Sequence, residues 1–155
     1  MLDYRLSELY IRSSIKRLSG TKQEKSSHAT LISNKERSFL NIAIKTAEDS
    51  DCSQRHGAVV TSSGRVMSIA SNRFRNCPQF VPSDIPDGKG TIFSYHAEKR
   101  AIDRGRGDTI YIARINSSGE PRLSMPCEAC MEIIIDAGFR KVVFTTHRGA
   151  AKMYL

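Results

Sequence analysis

His96-Ala97-Glu98 and Pro126-Cys127-Glu128-Ala129-Cys130 are the two stretches from which the rest of this chain can be read. Each follows irregular sequence and opens a run with helical spacing. They therefore sit at the starts of two predicted helices, over about 96 to 104 and about 127 to 137. Pro126 suits a first helical turn, where no backbone donor is needed. A helix start also carries unpaired N–H groups and partial positive charge, which lower a thiol pKa and favour the thiolate. Imidazole nitrogen and thiolate sulfur are donors that zinc takes in a tetrahedral shell, and a catalytic shell uses three protein ligands with a fourth place for water. His96, Cys127 and Cys130 make three. Glu98 as a fourth ligand would close that shell, so its carboxylate is better used as a general acid/base beside water activated by the metal. A redox pair at Cys127 and Cys130 would leave His96 and Glu98 without a role. A purely structural zinc clip would want a fourth side-chain ligand.

Working outward from these stretches, Ser33-Asn34-Lys35-Glu36 fits a capping box, and Phe39, Leu40, Ala43 and Ala47 then share one helical face. The spacing predicts a helix over 34–49. H-G-A-V-V-T (56–61) and R-V-M-S-I-A-S (65–71) are β-branched-rich runs joined by Ser62-Ser63-Gly64, the pattern of a hairpin. From Arg73 to Thr91 the chain carries Pro78, Pro82, Pro86, Gly88 and Gly90, which predicts a long loop able to reach a substrate. Strands are predicted over 108–115 and 141–146. The order is α-β-β-α-β-α-β, and its last two strands, separated by a helix, should lie parallel through a right-handed crossover in a layered α/β domain. Ahead of it, Leu2, Leu6, Leu9, Ile11, Ile15 and Leu18, a few of them off-register, suggest an amphipathic helix, and the polar run from Ser19 to Thr30 reads as a linker. The division is thus 1–30, helix and linker, and 31–155, the catalytic domain.

A chain of 155 residues is the size of one ordinary domain. With 39% hydrophobic and 26% charged residues and no long apolar run, a soluble protein without a membrane span is expected. The charges interleaved through Met1 to Tyr10 do not form a secretory signal, so the cytoplasm is the expected compartment. There the cysteines stay reduced, which favours metal or redox chemistry over a disulfide. The net charge of +8 invites a nucleic-acid partner, but the basic residues are dispersed from Arg5 to Lys152. A solvated face or a phosphorylated small substrate accounts for them equally well.

The pair H-x-E and P-C-x-x-C is the signature of zinc-dependent nucleobase deaminases. Around it the chain resembles the deoxycytidylate deaminase branch of the cytidine/deoxycytidylate deaminase superfamily, from about Leu31 to Thr146. The likeness runs through Ser50-Asp51-Cys52-Ser53-Gln54-Arg55, Gly57-Ala58-Val59-Val60, Asn72, and Asp136 to Phe144 (D-A-G-F-R-K-V-V-F). It implies a three-layer α/β/α fold, a central mixed sheet with helices on both faces. It also implies a Zn2+ cofactor, a homo-oligomer, and hydrolysis of a cytosine nucleotide, with deoxycytidylate to deoxyuridylate the leading reaction. Glu98 would hand a proton from the water to the ring nitrogen and later pass a second one to the leaving amine. By position, Asn72 would bond the substrate near its sugar, Ala58 and Val59 would wall the base, and the Ala97 N–H would meet the base carbonyl. The chain departs from the family at Lys99-Arg100-Ala101, where H-A-E is usually followed by x-N-A. Arg100 either binds the substrate phosphate through its planar fork or is a solvated helix residue.

Two rival functions remain at this level. One is a nucleic-acid deaminase acting on a base in single-stranded DNA or RNA, the other a non-catalytic zinc-binding module on the same fold. Cys52, Cys77, His28 and His56 follow no standard zinc spacing; they either form a second, structural zinc site, as the resemblance to viral deoxycytidylate deaminases allows, or hold buried unliganded cysteines. Phe74, Phe80 and Tyr95 lie in or beside the long loop, where an aromatic either stacks on a base or packs in the core.

Overall fold

Ser33 caps the first helix as its sequence predicts. Its Oγ accepts from the Glu36 N–H at 3.1 Å, and the Glu36 carboxylate accepts from the Ser33 N–H at 2.8 Å. Helix α1 (Asn34–Glu48) then buries Leu40, Ala43 and Ala47 along one face. The computed structural model describes residues 32–75 and 93–155. The expected helix at 2–18, the linker at 19–30 and most of the Pro/Gly-rich segment lie outside the described residues.

Strands β1 (Arg55–Ser62) and β2 (Arg65–Ser71) form the predicted antiparallel hairpin. Ser63 and Gly64 both take positive φ, 50° and 73°, as a tight two-residue turn requires. Two short strands follow, β3 (Arg73–Arg75) and β4 (Phe93–Tyr95), which pair with each other. The sequence places Arg73 at the head of a loop. The structure begins with a strand there instead, because the first helix- and strand-breaking residue comes only at Pro78.

Next come α2 (Ala97–Arg104), β5 (Thr109–Ile115), β6 (Pro121–Arg122), α3 (Glu128–Asp136), β7 (Lys141–Thr146) and β8 (Gly149–Tyr154). Six strands make one mixed sheet in the order β2-β1-β5-β7-β8, with β6 beside β5. Strands β5 and β7, with α3 between them in the chain, run parallel as expected, while the other pairs in the sheet are antiparallel.

Alternation along these strands builds two cores. Val59, Tyr111, Ala113, Val143 and Ala150 face Leu40 and Ala43 of α1. Ala58, Val60, Ile110, Ile112, Val142 and Phe144 face Ala97, Ala101, Ile102 and Ile134 of α2 and α3. The result is three layers, α1, sheet, then α2 with α3, the α/β/α arrangement that the resemblance implies. Among the described residues no helix is long and apolar enough to cross a membrane.

Candidate active site

The starts of α2 and α3 meet on one face of the sheet. His96 is the N-cap residue of α2 and Cys127 that of α3, and neither uses its side chain to cap its helix. Their side chains are left for other work. His96 Nδ1 lies 3.2 Å from Cys130 Sγ and 3.7 Å from Cys127 Sγ. All three donor atoms fall within 4.8 Å of one another. A tetrahedral zinc with ordinary Zn–N and Zn–S bonds separates nitrogen from sulfur by about 3.6 Å, so the donor set fits that ion. Cys130 is buried, and its thiol is pushed well above the ordinary range by burial first, then by Glu98 and Cys127. A divalent cation is the partner that would make such a thiolate stable.

A buried network fixes the approach to Cys127. Ser124 Oγ donates to the Ile112 carbonyl at 2.8 Å and accepts from the Thr145 N–H at 3.0 Å, and the Ser124 N–H donates to the Thr145 carbonyl. These bonds tie the segment before Pro126 to β5 and β7. On the other half of the site, Glu98 occupies the first turn of α2, where a negative charge is favoured, and is 5% exposed. Its charge reaches both Cys130 and His56.

A cavity of about 420 Å³ opens over this constellation, lined by His96, Ala97, Glu98 and Cys127 together with Asn72, His56 and Arg114. Phe74 and Leu123 stand at its edge, both substantially exposed. Ala97 is the first residue of α2, so its N–H has no intrahelical acceptor.

Asn72 is buried and serves first as a clamp. Its Oδ1 accepts from the His56 N–H at 2.8 Å and from Ser50 Oγ at 2.6 Å, and its Nδ2 donates to the Gln54 carbonyl at 2.7 Å. Those three bonds hold the segment 50–56 against the end of β2.

Other expected contacts lie elsewhere. Ala58 and Val59 are both wholly buried, but neighbouring strand residues point to opposite faces. Val59 packs against α1, on the far side of the sheet from the cavity, and Ala58 lies in the apolar cluster beneath α2 and α3. Neither lines the cavity. Arg100 is not at the cavity either: its guanidinium donates to the Ser71 carbonyl, and Arg104 one turn on donates to the Ile69 carbonyl at 3.3 Å. Both therefore satisfy outward carbonyls of the edge strand β2, which is neither the phosphate contact nor the solvated position that the sequence allows.

His56 and Arg114 escape a sequence reading. They stand opposite each other on β1 and β5. His56 Nδ1 donates to the Gln54 carbonyl at 3.2 Å. Burial is the main force lowering the His56 pKa, with Glu98 pulling it up and Arg114 adding to the fall. Of the residues weighed for a second metal, His28 and Cys77 lie outside the described residues. Among the described residues the His96, Cys127 and Cys130 group is the one that gathers metal ligands. Phe80 too lies outside the described residues, and the Tyr95 hydroxyl meets Asp103 at 2.5 Å.

Residues 33–146 match the family model of the cytidine and deoxycytidylate deaminase zinc-binding region. Cytidine deaminase from Burkholderia pseudomallei is a similar solved structure, with TM-score 0.54, 16% identity, and coverage of 79% of this chain and 93% of that one. Cytidine deaminase from Mycobacterium leprae gives TM-score 0.51, 16% identity, and coverage of 75% and 91%. For dCMP deaminase from the cyanophage S-TIM5 the figures are 0.48, 19%, 74% and 84%. At these identities the likeness to the two cytidine deaminases speaks to the fold alone. No curated protein matches the sequence significantly.

Proposed function

This chain belongs to the cytidine and deoxycytidylate deaminase family, and from that membership we propose that it deaminates the cytosine ring of a free nucleotide, deoxycytidylate foremost. One observation carries the proposal. Three metal-binding donors and one buried carboxylate, brought together by two helix starts, open into the same cavity.

His96 Nδ1, Cys127 Sγ and Cys130 Sγ would hold the zinc. When bound, it supplies Lewis acidity that makes water nucleophilic near neutral pH. Glu98 carries the protons. Its carboxylate takes one proton from the attacking water and delivers it to the ring nitrogen N3, then takes the second from the oxygen now bonded to C4 and gives it to the amino group that leaves. A C4–O bond forms, the C4–N bond breaks, and ammonia departs with uracil as the remaining base. The orphan N–H of Ala97 would orient the base through its carbonyl. Asn72 and the wall it clamps bound the cavity on the sugar side. A partly closed cavity also limits the water that reaches Glu98, which strengthens its interactions. In the same reading the protein acts in the cytoplasm, as a homo-oligomer, on a small molecule.

Ammonia release from deoxycytidylate by zinc-loaded protein, compared with Glu98→Ala, tests the proposal. The variant should retain zinc by elemental analysis and lose activity by about 100-fold or more. Activity that survives the substitution would remove Glu98 from its role. Zinc-loaded wild-type protein that releases no ammonia from any cytosine substrate would favour the non-catalytic module. The polynucleotide reading draws on the net charge of +8, and salt dependence separates it from the mononucleotide one.

A further inference from the structure

Among the described residues that line the cavity, Arg114 is the sole lysine or arginine. We propose that Arg114 is a specificity-determining residue that binds the 5′-phosphate of the nucleotide substrate, a reading that rests on the deaminase activity proposed above.

Strand register places it. His56 pairs with Arg114 across β1 and β5, and two residues further in Ala58 pairs with Ile112. Ala58 and Ile112 belong to the apolar cluster under α2 and α3. By alternation His56 and Arg114 project from the same face, where that cluster ends and the cavity begins.

The cavity also has a direction. His96, Glu98 and Cys127 line it from the starts of α2 and α3, whereas His56 and Arg114 line it from the paired strands β1 and β5. The lining therefore has the metal ligands and Glu98 on its helix side and His56 with Arg114 on its strand side. A cytosine nucleotide has the same polarity, with its amino group at one end and its phosphate at the other. Placing the reacting carbon beside Glu98 directs the phosphate toward Arg114.

The guanidinium of Arg114 is open to such a ligand. It is partly buried, and among the described residues its side chain has no hydrogen bond or ion pair. Nearby arginines are engaged. Arg122 pairs with Glu120 at 3.0 Å, and Arg55 donates to the carbonyls of Asn116 and Ser117. His56 cannot act as a counterion for Arg114, because its Nδ1–H is committed to a carbonyl and the ring carries no negative charge in either protonation state. A partly desolvated guanidinium without a carboxylate is stabilised by a bound oxyanion, and its planar fork matches two phosphate oxygens. Arg100, the candidate from sequence, is occupied at the edge of β2.

The test compares wild-type, Arg114→Ala and Arg114→Lys proteins, all zinc-loaded, on deoxycytidylate and deoxycytidine. In parallel, calorimetry measures binding of deoxyuridylate and deoxyuridine. The ratio of kcat/KM for nucleotide over nucleoside should fall by about 10- to 100-fold in Arg114→Ala, chiefly through KM for the nucleotide. Arg114→Lys should recover part of it, since a point charge replaces the fork. An unchanged ratio in both variants would overturn the proposal, as would wild-type protein that binds deoxyuridine as tightly as deoxyuridylate. The binding arm separates failure of the proposal from failure of the deaminase reading. If no ammonia is released but a preference for deoxyuridylate disappears in Arg114→Ala, the phosphate site stands and the chemistry falls. If ammonia is released without any preference for phosphate, the chemistry stands and the site falls.

Discussion

Glu36 closes the capping box of α1, and it also receives Lys141 Nζ from β7 at 2.8 Å and Lys152 Nζ from β8 at 3.3 Å. Burial by itself would raise its carboxyl. The Lys141 ammonium, then the Ser33 N–H and Lys152, more than offset that effect and hold the pKa at about 2. A depressed carboxyl stabilises the folded state fully above its unfolded pKa, near 4.5, and that contribution is lost as pH falls toward 2. Glu36→Gln should therefore cost about 2 kcal/mol at pH 7, and less than half as much at pH 3. Urea unfolding of both proteins at the two pH values checks this, and an equal difference at both would contradict it. The Ser33–Glu36 half of this arrangement is legible in sequence because capping is local. The lysines are not, because they arrive from the far end of the chain. The same contrast runs through the site. His96, Cys127, Cys130 and Glu98 announce themselves by their chemistry and spacing, whereas His56 and Arg114 become neighbours only through the register of β1 on β5.

Elements meet where side chains allow their backbones to approach, and Gly57 marks the closest such place. A Cβ built there would meet the carbonyl oxygen of Ala43 and, at 2.6 Å, the backbone nitrogen of Ala47. Both neighbours are helix backbone, which cannot yield as a flexible side chain would. Gly57→Ala should push α1 off β1 and destabilise the protein by about 3 kcal/mol or more. Thermal unfolding measures it, and a variant as stable as wild type would show that α1 does not pack so near. Helices and long strands were readable here because their apolar spacing is strong, as in α1 and β1. Strand β8 was not. Its residues Gly149-Ala150-Ala151-Lys152 have weak strand preference, and it forms by adding to β7 once that strand is in place. Strand β6 is two residues long and opens with Pro121, so nothing in its composition marks it apart from a turn.

At the scale of the molecule, the candidate zinc ligands join the starts of α2 and α3, which pack on the same face of the sheet. An ion that binds this folded arrangement and not the unfolded chain stabilises it by mass action. Added zinc should raise the Tm by several degrees, roughly 2 to 4 °C for each 1 kcal/mol gained in a chain of this size. Chelation should reverse the rise, and Cys127→Ser should abolish it. The charge of the whole chain sets the last expectation. Twenty-four basic residues against 16 acidic ones give +8, yet among the described residues the cavity is lined by one of those cations, Arg114, against the carboxylate of Glu98. A polynucleotide lying across the dispersed basic surface would neutralise many phosphates. Its affinity would then fall with a log–log salt slope of about −0.7 for each one. A mononucleotide has no condensed counterion atmosphere to release and engages a single phosphate group at Arg114, so ordinary screening over a fourfold rise in salt should change its KM only mildly. KM for deoxycytidylate at 50 and 200 mM salt, measured beside the affinity for a single-stranded oligonucleotide, decides between the two. Tight oligonucleotide binding that collapses by about 100-fold or more over that range, with weak turnover of the free nucleotide, would move the substrate from nucleotide to polynucleotide. A shallow dependence for deoxycytidylate, with negligible oligonucleotide affinity at 200 mM, would leave the net charge as a property of the solvated surface.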